Sequence, residues 1–261
     1  VRLNRVKANC SEGRVSTGTF VNFSDPLSAQ ILATCGFDWL IVDMEHGPIP
    51  LAAAQAAITA IRTTATEPFV RVAWNEPSAI QRVLDSGASG IMVPMVSTAA
   101  QARAVVRETC YPPRGERSRG GARGPLSFDT DAPTYFGHAD DAIFVMAQIE
   151  TAEAIRNLEE IAAVDGIDCL FVGPNDLAAA YGFDYPGGWE RMSGPYTEAI
   201  DQVVAVARAA GKSAGFQATS AAIANDCIAR GYTVVGVTTD VTMLARAARA
   251  ERTALRLPGE S

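Results

Sequence analysis

Lysine is almost missing from this chain. Of its 22 basic residues only Lys7 and Lys212 are lysines, and histidine occurs twice, as His46 and His138. A mechanism that needs a particular lysine or histidine therefore has few residues to draw on. The five cysteines, Cys10, Cys35, Cys110, Cys169 and Cys227, are scattered, odd in number and free of CxxC spacing. That pattern argues against a disulfide framework and reads as reduced, buried thiols of a cytoplasmic protein. No apolar run approaches the roughly 20 residues of a membrane span. The first ten residues lack the apolar core of a signal peptide. Positive charge is short as well. A net charge of −7 argues against nonspecific nucleic-acid binding, which depends on neutralising phosphates. No glycine-rich phosphate loop stands out, so no nucleotide cofactor is expected.

What is present is ample core material. The 261 residues are 48% hydrophobic and 20% charged, enough for a large α/β domain. Short apolar runs bounded by turn residues recur along the chain. Val15 to Phe23, Phe37 to Asp43, Phe69 to Val72 and Gly90 to Val93 read as the first four strands. Ile143 to Ile149, Cys169 to Val172, Ser213 to Phe216 and Val234 to Val237 read as the next four. Helical segments fall between them, among them Thr98 to Thr109, Thr151 to Ala163 and Pro195 to Ala210, and Val241 to Leu255 ends the series. Asp176 to Tyr181 reads as a short extra helix and Gly182 to Gly194 as a loop. Eight such units without a linker predict one (β/α)8 TIM barrel over residues 1–261. An open doubly wound sheet, the alternative, usually has fewer units. The longest irregular segment is Tyr111 to Ala139, which carries Arg114, Arg117, Arg119 and Arg123. It reads either as a solvated or subunit-contact surface or as an anion-attracting lid at the substrate mouth.

Function in a barrel of this kind sits at the C-terminal ends of the strands. Asp43, Glu45 and His46 fall after the second predicted strand, Arg71 at the end of the third, Gln148 and Glu150 after the fifth, and Asn175 and Asp176 after the sixth. Two-residue alternation sets Gln148 and Glu150 on one side of their strand, where buried polar groups need partners or an ion. Taken singly, Glu150 and Asp176 read equally well as helix caps, Asp43 as a turn cap and Arg71 as a buried ion-pair partner. Together, two carboxylates on neighbouring strands with few histidines nearby point to a hard divalent ion. His138 lies outside the predicted mouth. Lys7 precedes the first strand and Lys212 opens the seventh, at the wrong end of the barrel for a Schiff base.

Gly36-Phe37-Asp38-Trp39-Leu40-Ile41-Val42-Asp43-Met44-Glu45-His46-Gly47-Pro48 resembles the signature of the HpcH/HpaI aldolase family. The likeness continues through Val70-Arg71-Val72, Val83-Leu84-Asp85-Ser86-Gly87-Ala88, Val93-Pro94-Met95-Val96, Tyr111-Pro112-Pro113-Arg114-Gly115, Gln148-Ile149-Glu150-Thr151, Val172-Gly173-Pro174-Asn175-Asp176-Leu177 and Gly236-Val237-Thr238-Thr239-Asp240. These are class II, metal-dependent pyruvate aldolases. The resemblance implies Glu150 and Asp176 as ligands of Mg2+, Mn2+ or Co2+. It implies His46 as catalytic histidine with Asp85 its acidic partner, and Arg71 on the keto oxygen. Gln148 with Gly173, Pro174 and Asn175 would hold the pyruvate carboxylate. Asp43 and Glu45 would orient the site, and Phe216 and Gln217 would lie where relatives vary with acceptor. Met44 and Asn175 depart from the Gly and Ala common at those positions. The resemblance also implies a homo-oligomer, a hexamer as a trimer of dimers that exchange the last helix.

The expected reaction is reversible cleavage of a 4-hydroxy-2-keto acid to pyruvate, or a close relative such as hydroxypyruvate, and an aldehyde. Its setting would be sugar-acid or aromatic catabolism. The rivals are a citrate-lyase or malyl-CoA type of lyase acting on CoA esters, and a phosphoenolpyruvate-handling barrel.

Overall fold

Eight parallel strands close into a barrel in sequence order, β1 pairing with β8. They are β1 (Ser16–Val21), β2 (Trp39–Asp43), β3 (Glu67–Arg71), β4 (Gly90–Val93), β5 (Phe144–Ile149), β6 (Cys169–Val172), β7 (Ser213–Ala218) and β8 (Val234–Thr239). The computed structural model describes residues 2–183 and 194–256. The predicted loop from Gly182 to Gly194 lies mostly outside the described residues.

Alternation along each strand builds two cores. Phe20, Trp39, Ile41, Phe69, Met92, Phe144, Met146, Cys169, Phe171 and Val234 fill the barrel interior. Their sequence neighbours Leu40, Val42, Val70, Ile91, Val145, Ala147, Leu170, Val172 and Val235 face the outer helices. Inside, Trp39 stacks on Phe69 at 6.0 Å and Phe69 on Phe144 at 5.7 Å. Rings of this size fit because β1 and β7 offer glycine where the rings lie. A Cβ at Gly18 would overlap Trp39, and one at Gly215 would overlap Phe171. Helix α1 (Arg5–Ser11), which sequence patterning misses, plugs the amino end of the barrel with fully buried Val6.

The outer helices are α2 (Pro26–Ala33), α3 (Leu51–Ile61), α4 (Pro77–Asp85), α5 (Ala99–Thr109), α6 (Arg123–Ser127), α7 (Ala132–Ala142), α8 (Ala152–Arg156), α9 (Leu158–Ala162), α10 (Pro174–Ala180), α11 (Pro195–Ala209), α12 (Ala221–Arg230) and α13 (Asp240–Ala254). Two expectations need correction here. The predicted helix from Thr151 to Ala163 breaks at Asn157 into α8 and α9, and Asn157 Nδ2 donates to the Ser97 carbonyl. Much of the segment from Tyr111 to Ala139 is helical, as α6 and the start of α7. It is no lid, because it joins the C-terminus of α5 to the start of β5, and both lie at the amino end of the barrel. Its arginines are spent on structure. Arg117 is buried over the Tyr111 ring at 4.6 Å and donates to Asp85 at 3.0 Å. Arg114 pairs with Asp141, Arg123 bonds Thr59, and Arg119 lies over the Phe136 ring.

Candidate active site

The interior changes character one step beyond the aromatic layer. On strand after strand, the next inward position is polar or absent. Phe20 gives way to Asn22, Ile41 to Asp43, Phe69 to Arg71, Met146 to Gln148, Phe171 to Gly173, Gly215 to Gln217 and Gly236 to Thr238. This polar layer floors a cavity of about 390 Å3 at the C-terminal mouth. His46, Pro174, Asn175, Asp176, Thr219, Thr239 and Thr242 rim it.

Asp43 and Arg71 end neighbouring strands and face each other in register. Arg71 grips Asp43 with both prongs, Nε to Oδ1 at 2.9 Å and Nη2 to Oδ2 at 2.7 Å. Its remaining nitrogen Nη1 lies 2.9 Å from Glu45 Oε2, out of line for a hydrogen bond, so the attraction there is Coulombic. Asp43 also accepts from the backbone N–H groups of Glu45 and His46 and from Asn22 Nδ2. Burial pushes its carboxyl up, but the bonds and charge of Arg71, the His46 N–H and Asn22 outweigh that and hold it below the usual range. Glu45 moves the other way: burial raises it and the charges of Asp43 and Asp176 add, against Arg71. His46 stands at the rim, with Nε2 3.8 Å from Glu45 Oε2 and its side chain 63% exposed.

Glu150 is 2% exposed. Oε1 accepts from the Met95 N–H at 2.7 Å and Oε2 from Gln148 Nε2 at 2.5 Å, and among the described residues Glu150 makes no ion pair. Burial raises its carboxyl to about 7, helped by Glu45 and Asp176 and opposed by Met95. Asp176 occupies the exposed first turn of α10. Gly173 is obligatory between them, since a Cβ there would overlap Glu150 Oε2 and come within 2.8 Å of Gln148 Nε2. Gln148 Oε1 is buried without a protein partner among the described residues.

The donor set fits a hard divalent ion. Among the described residues, four carboxylates, Asp43, Glu45, Glu150 and Asp176, share the field of one arginine here. Arg71 is ion-paired with Asp43 and Glu45, which leaves Glu150 and Asp176 without an ion-pair partner among the described residues. Carboxylate oxygens in that state favour a cation bound through oxygen. No group of three or more His, Cys, Asp or Glu poised for a metal occurs among the described residues.

The mouth brings together Asp43, Glu45, His46, Arg71, Gln148, Glu150, Gly173, Pro174, Asn175, Asp176 and Gln217. Two expected residues do not join them. Asp85 ends α4, and helices run antiparallel to the strands, so it lies toward the amino end of the barrel on Arg117. Within one chain it does not meet His46. Phe216 faces outward, fully buried and 5.3 Å from Tyr232, while its neighbour Gln217 faces the cavity and donates to the Thr238 carbonyl. Both lie within β7 rather than after it. The lysines sit at the amino end as expected. Lys7 bonds Asp168 and the Ile143 carbonyl, and Lys212 the carbonyls of Val164 and Ile167.

Sequence reading missed Asn22, legible as the next inward step after Phe20. Met95 and Thr238 stand in the family motifs but carry no assigned role there; the structure holds them at φ 57° and φ 53°, left-handed values uncommon for residues with a side chain. Met95 so held directs its N–H at Glu150. No sequence pattern signals that conformation.

The profile of the HpcH/HpaI aldolase/citrate lyase family matches residues 16–247. A hydroxypyruvate/pyruvate aldolase of Roseovarius nubinhibens is 38% identical over 246 residues, covering 94% of each chain. A 4-hydroxy-2-oxo-heptane-1,7-dioate aldolase of Shigella sonnei is 39% identical over 247 residues, covering 95% of this chain and 93% of the relative. Among solved structures, an HpcH/HpaI aldolase/citrate lyase family protein from Burkholderia cenocepacia superposes with a TM-score of 0.89 at 33% identity, covering 96% of this chain and 98% of that one.

Proposed function

This chain belongs to the HpcH/HpaI aldolase/citrate lyase family, and on that premise we propose that its C-terminal mouth cleaves and forms 4-hydroxy-2-keto acids with Glu150 and Asp176 as metal ligands. The protein is a carbon–carbon lyase, a class II pyruvate aldolase. The observation that supports the site assignment is the uncompensated carboxylate pair beside a clamped arginine, directly above a sealed aromatic core.

A bound Mg2+, Mn2+ or Co2+ would supply Lewis-acid polarisation of the keto oxygen. The rest falls to side chains. The first turn of α10 offers the Asn175 and Asp176 N–H groups to the pyruvate carboxylate, Pro174 having none to give, and Gln148 borders the same spot. In cleavage His46 Nε2 takes the proton of the 4-hydroxyl. The C3–C4 bond breaks, its electrons pass into the pyruvate unit, and the aldehyde leaves. Arg71, aligned by Asp43 and Glu45, stabilises the negative charge that develops on the keto oxygen, a role typically worth about 10²–10³ in rate. A proton returned to C3 completes pyruvate. The nucleophile class extends to hydroxypyruvate by analogy with the Roseovarius relative's name.

The barrel acts as one catalytic domain, and we place it in an oligomer. Helix α13 supports that reading. Of its 15 residues only Asp240 is buried, and Val241 and Leu244 are exposed. Leu27 and Ile31 on α2 are exposed as well, an apolar face that a partner's helix would cover. Exchange of α13 within a hexamer fits both faces. The five cysteines are all free, as in a reducing cytoplasm. No helix among the described residues is long and apolar enough to cross a membrane.

The test is release of pyruvate from a panel of 4-hydroxy-2-keto acids, read through lactate dehydrogenase, with and without a chelator and added Mn2+. Metal-dependent release is expected. Activity on CoA esters alone, or release that survives exhaustive chelation, would overturn the proposal.

A further inference from the structure

Asp240 is the first residue of α13, 5% exposed, and no step assigned above uses it. Its carboxylate is saturated with backbone donors. The Asn22 N–H reaches both oxygens at 3.0 Å, the Phe23 N–H reaches Oδ2 at 2.9 Å and the Val241 N–H reaches Oδ1 at 2.7 Å. Two of those donors belong to the turn after β1, so the carboxylate ties that turn to the start of the last helix. The turn in turn aims a side chain. Asn22 Nδ2 donates to Asp43 Oδ2 at 2.9 Å, the oxygen that also receives Arg71 Nη2 at 2.7 Å. The other oxygen of Asp43 takes Arg71 Nε and the N–H groups of Glu45 and His46. An unbroken path of hydrogen bonds therefore runs from α13 through Asp240, Asn22 and Asp43 to Arg71 and His46.

Asn22 projects from a turn past the end of β1, where ladder bonds no longer hold the backbone. Its N–H accordingly goes to a side chain, and losing that acceptor lets the turn drift. We propose that Asp240 is a positioning residue for the lyase reaction, holding Asn22 so that Asp43 presents Arg71 and the His46 loop in reacting geometry. This rests on the aldolase reading above. Asp240 contributes nothing to substrate directly and belongs to a helix otherwise unburied, so the seating of α13 is felt at Arg71 through this one carboxylate.

The test is a double-mutant cycle on the full-length enzyme with Asp240→Asn, Asn22→Ala and the double variant, scored by kcat and KM separately. Each single variant is expected to lose about tenfold in kcat, the scale of one charge-assisted hydrogen bond, with KM changed by less than about threefold. The double variant should be no slower than the slower single, because both cut the same path. Asp131→Ala serves as comparison: it removes the cap of α7, far from the mouth, and should lower Tm without touching kcat. If Asp240→Asn does not fold, Asp240→Ser, which keeps one acceptor oxygen, takes its place. A wild-type kcat in the Asp240 variant overturns the proposal. So do losses that multiply in the double variant, or a kcat loss that tracks Tm as in any destabilised protein. Absence of pyruvate release by the wild type would instead remove the aldolase reading itself.

Discussion

Glu150→Gln should change how stability depends on pH in the metal-free protein, by an amount the structure allows to be worked out. On folding, burial lifts the Glu150 carboxyl from its ordinary value of 4.5 to about 7. Held ionised, such a group costs the fold on the order of 3 kcal/mol. The sign follows from proton binding. Between 4.5 and 7 the folded chain holds a proton that the unfolded chain has released. The contribution to stability is therefore complete below pH 4.5 and is lost as pH rises through 7. From pH 6 to pH 8 the loss is about 1 kcal/mol. A glutamine cannot titrate, and its amide oxygen still accepts the Met95 N–H, so this component of the slope vanishes. Urea unfolding of both proteins, at fixed concentration with chelator, gives the stability difference at each pH. That difference should shift in favour of the variant by about 1 kcal/mol between pH 6 and 8, other titrating groups cancelling. Parallel curves would refute the claim that Glu150 is buried without a cation. Saturating Mn2+ should reverse the trend in the wild type, since the ion selects the ionised carboxylate.

Gly173→Ala pushes a methyl group into Glu150 Oε2, so kcat/KM for keto-acid cleavage should fall about 100-fold while the circular dichroism spectrum is unchanged. Arg71→Lys keeps the charge but loses the two-pronged grip on Asp43, and steady-state kinetics should show kcat down about 10²–10³ with a smaller change in KM.

Much of the barrel was legible because strands buried on both faces announce themselves as short apolar runs, and eight of them admit few topologies. The acids and Arg71 were legible for a related reason: on strands that are otherwise apolar inside, a charged residue at an inward position stands out. Asp85 does not join the mouth of its own chain, for want of direction. A motif names a residue but not which end of a helix it occupies, and α4 carries Asp85 away from the mouth. Phe216 and Gln217 show the same limit at finer grain, since adjacent strand residues face opposite sides and only the register decides which one lines the cavity. The helices within Tyr111 to Ala139 were hidden by glycine, proline and arginine, residues that mark loops by composition, although Arg117 and Arg119 here lie over Tyr111, Tyr135 and Phe136. Met95 and Thr238 were beyond reach, since their left-handed backbones are imposed by neighbours rather than by their own preference. In the sequence Asp240 is only the end of a motif; its saturated carboxylate emerges from three-dimensional contacts alone.

The central claim is that Glu150 and Asp176 together hold one divalent ion, and Mn2+ titration followed by electron paramagnetic resonance tests it most directly. The signal of free Mn2+ should be quenched to a stoichiometry of about one ion per wild-type chain, and affinity should fall on the order of 100-fold or more in Glu150→Gln and in Asp176→Asn. A double variant that still binds one ion per chain with wild-type affinity would contradict the account.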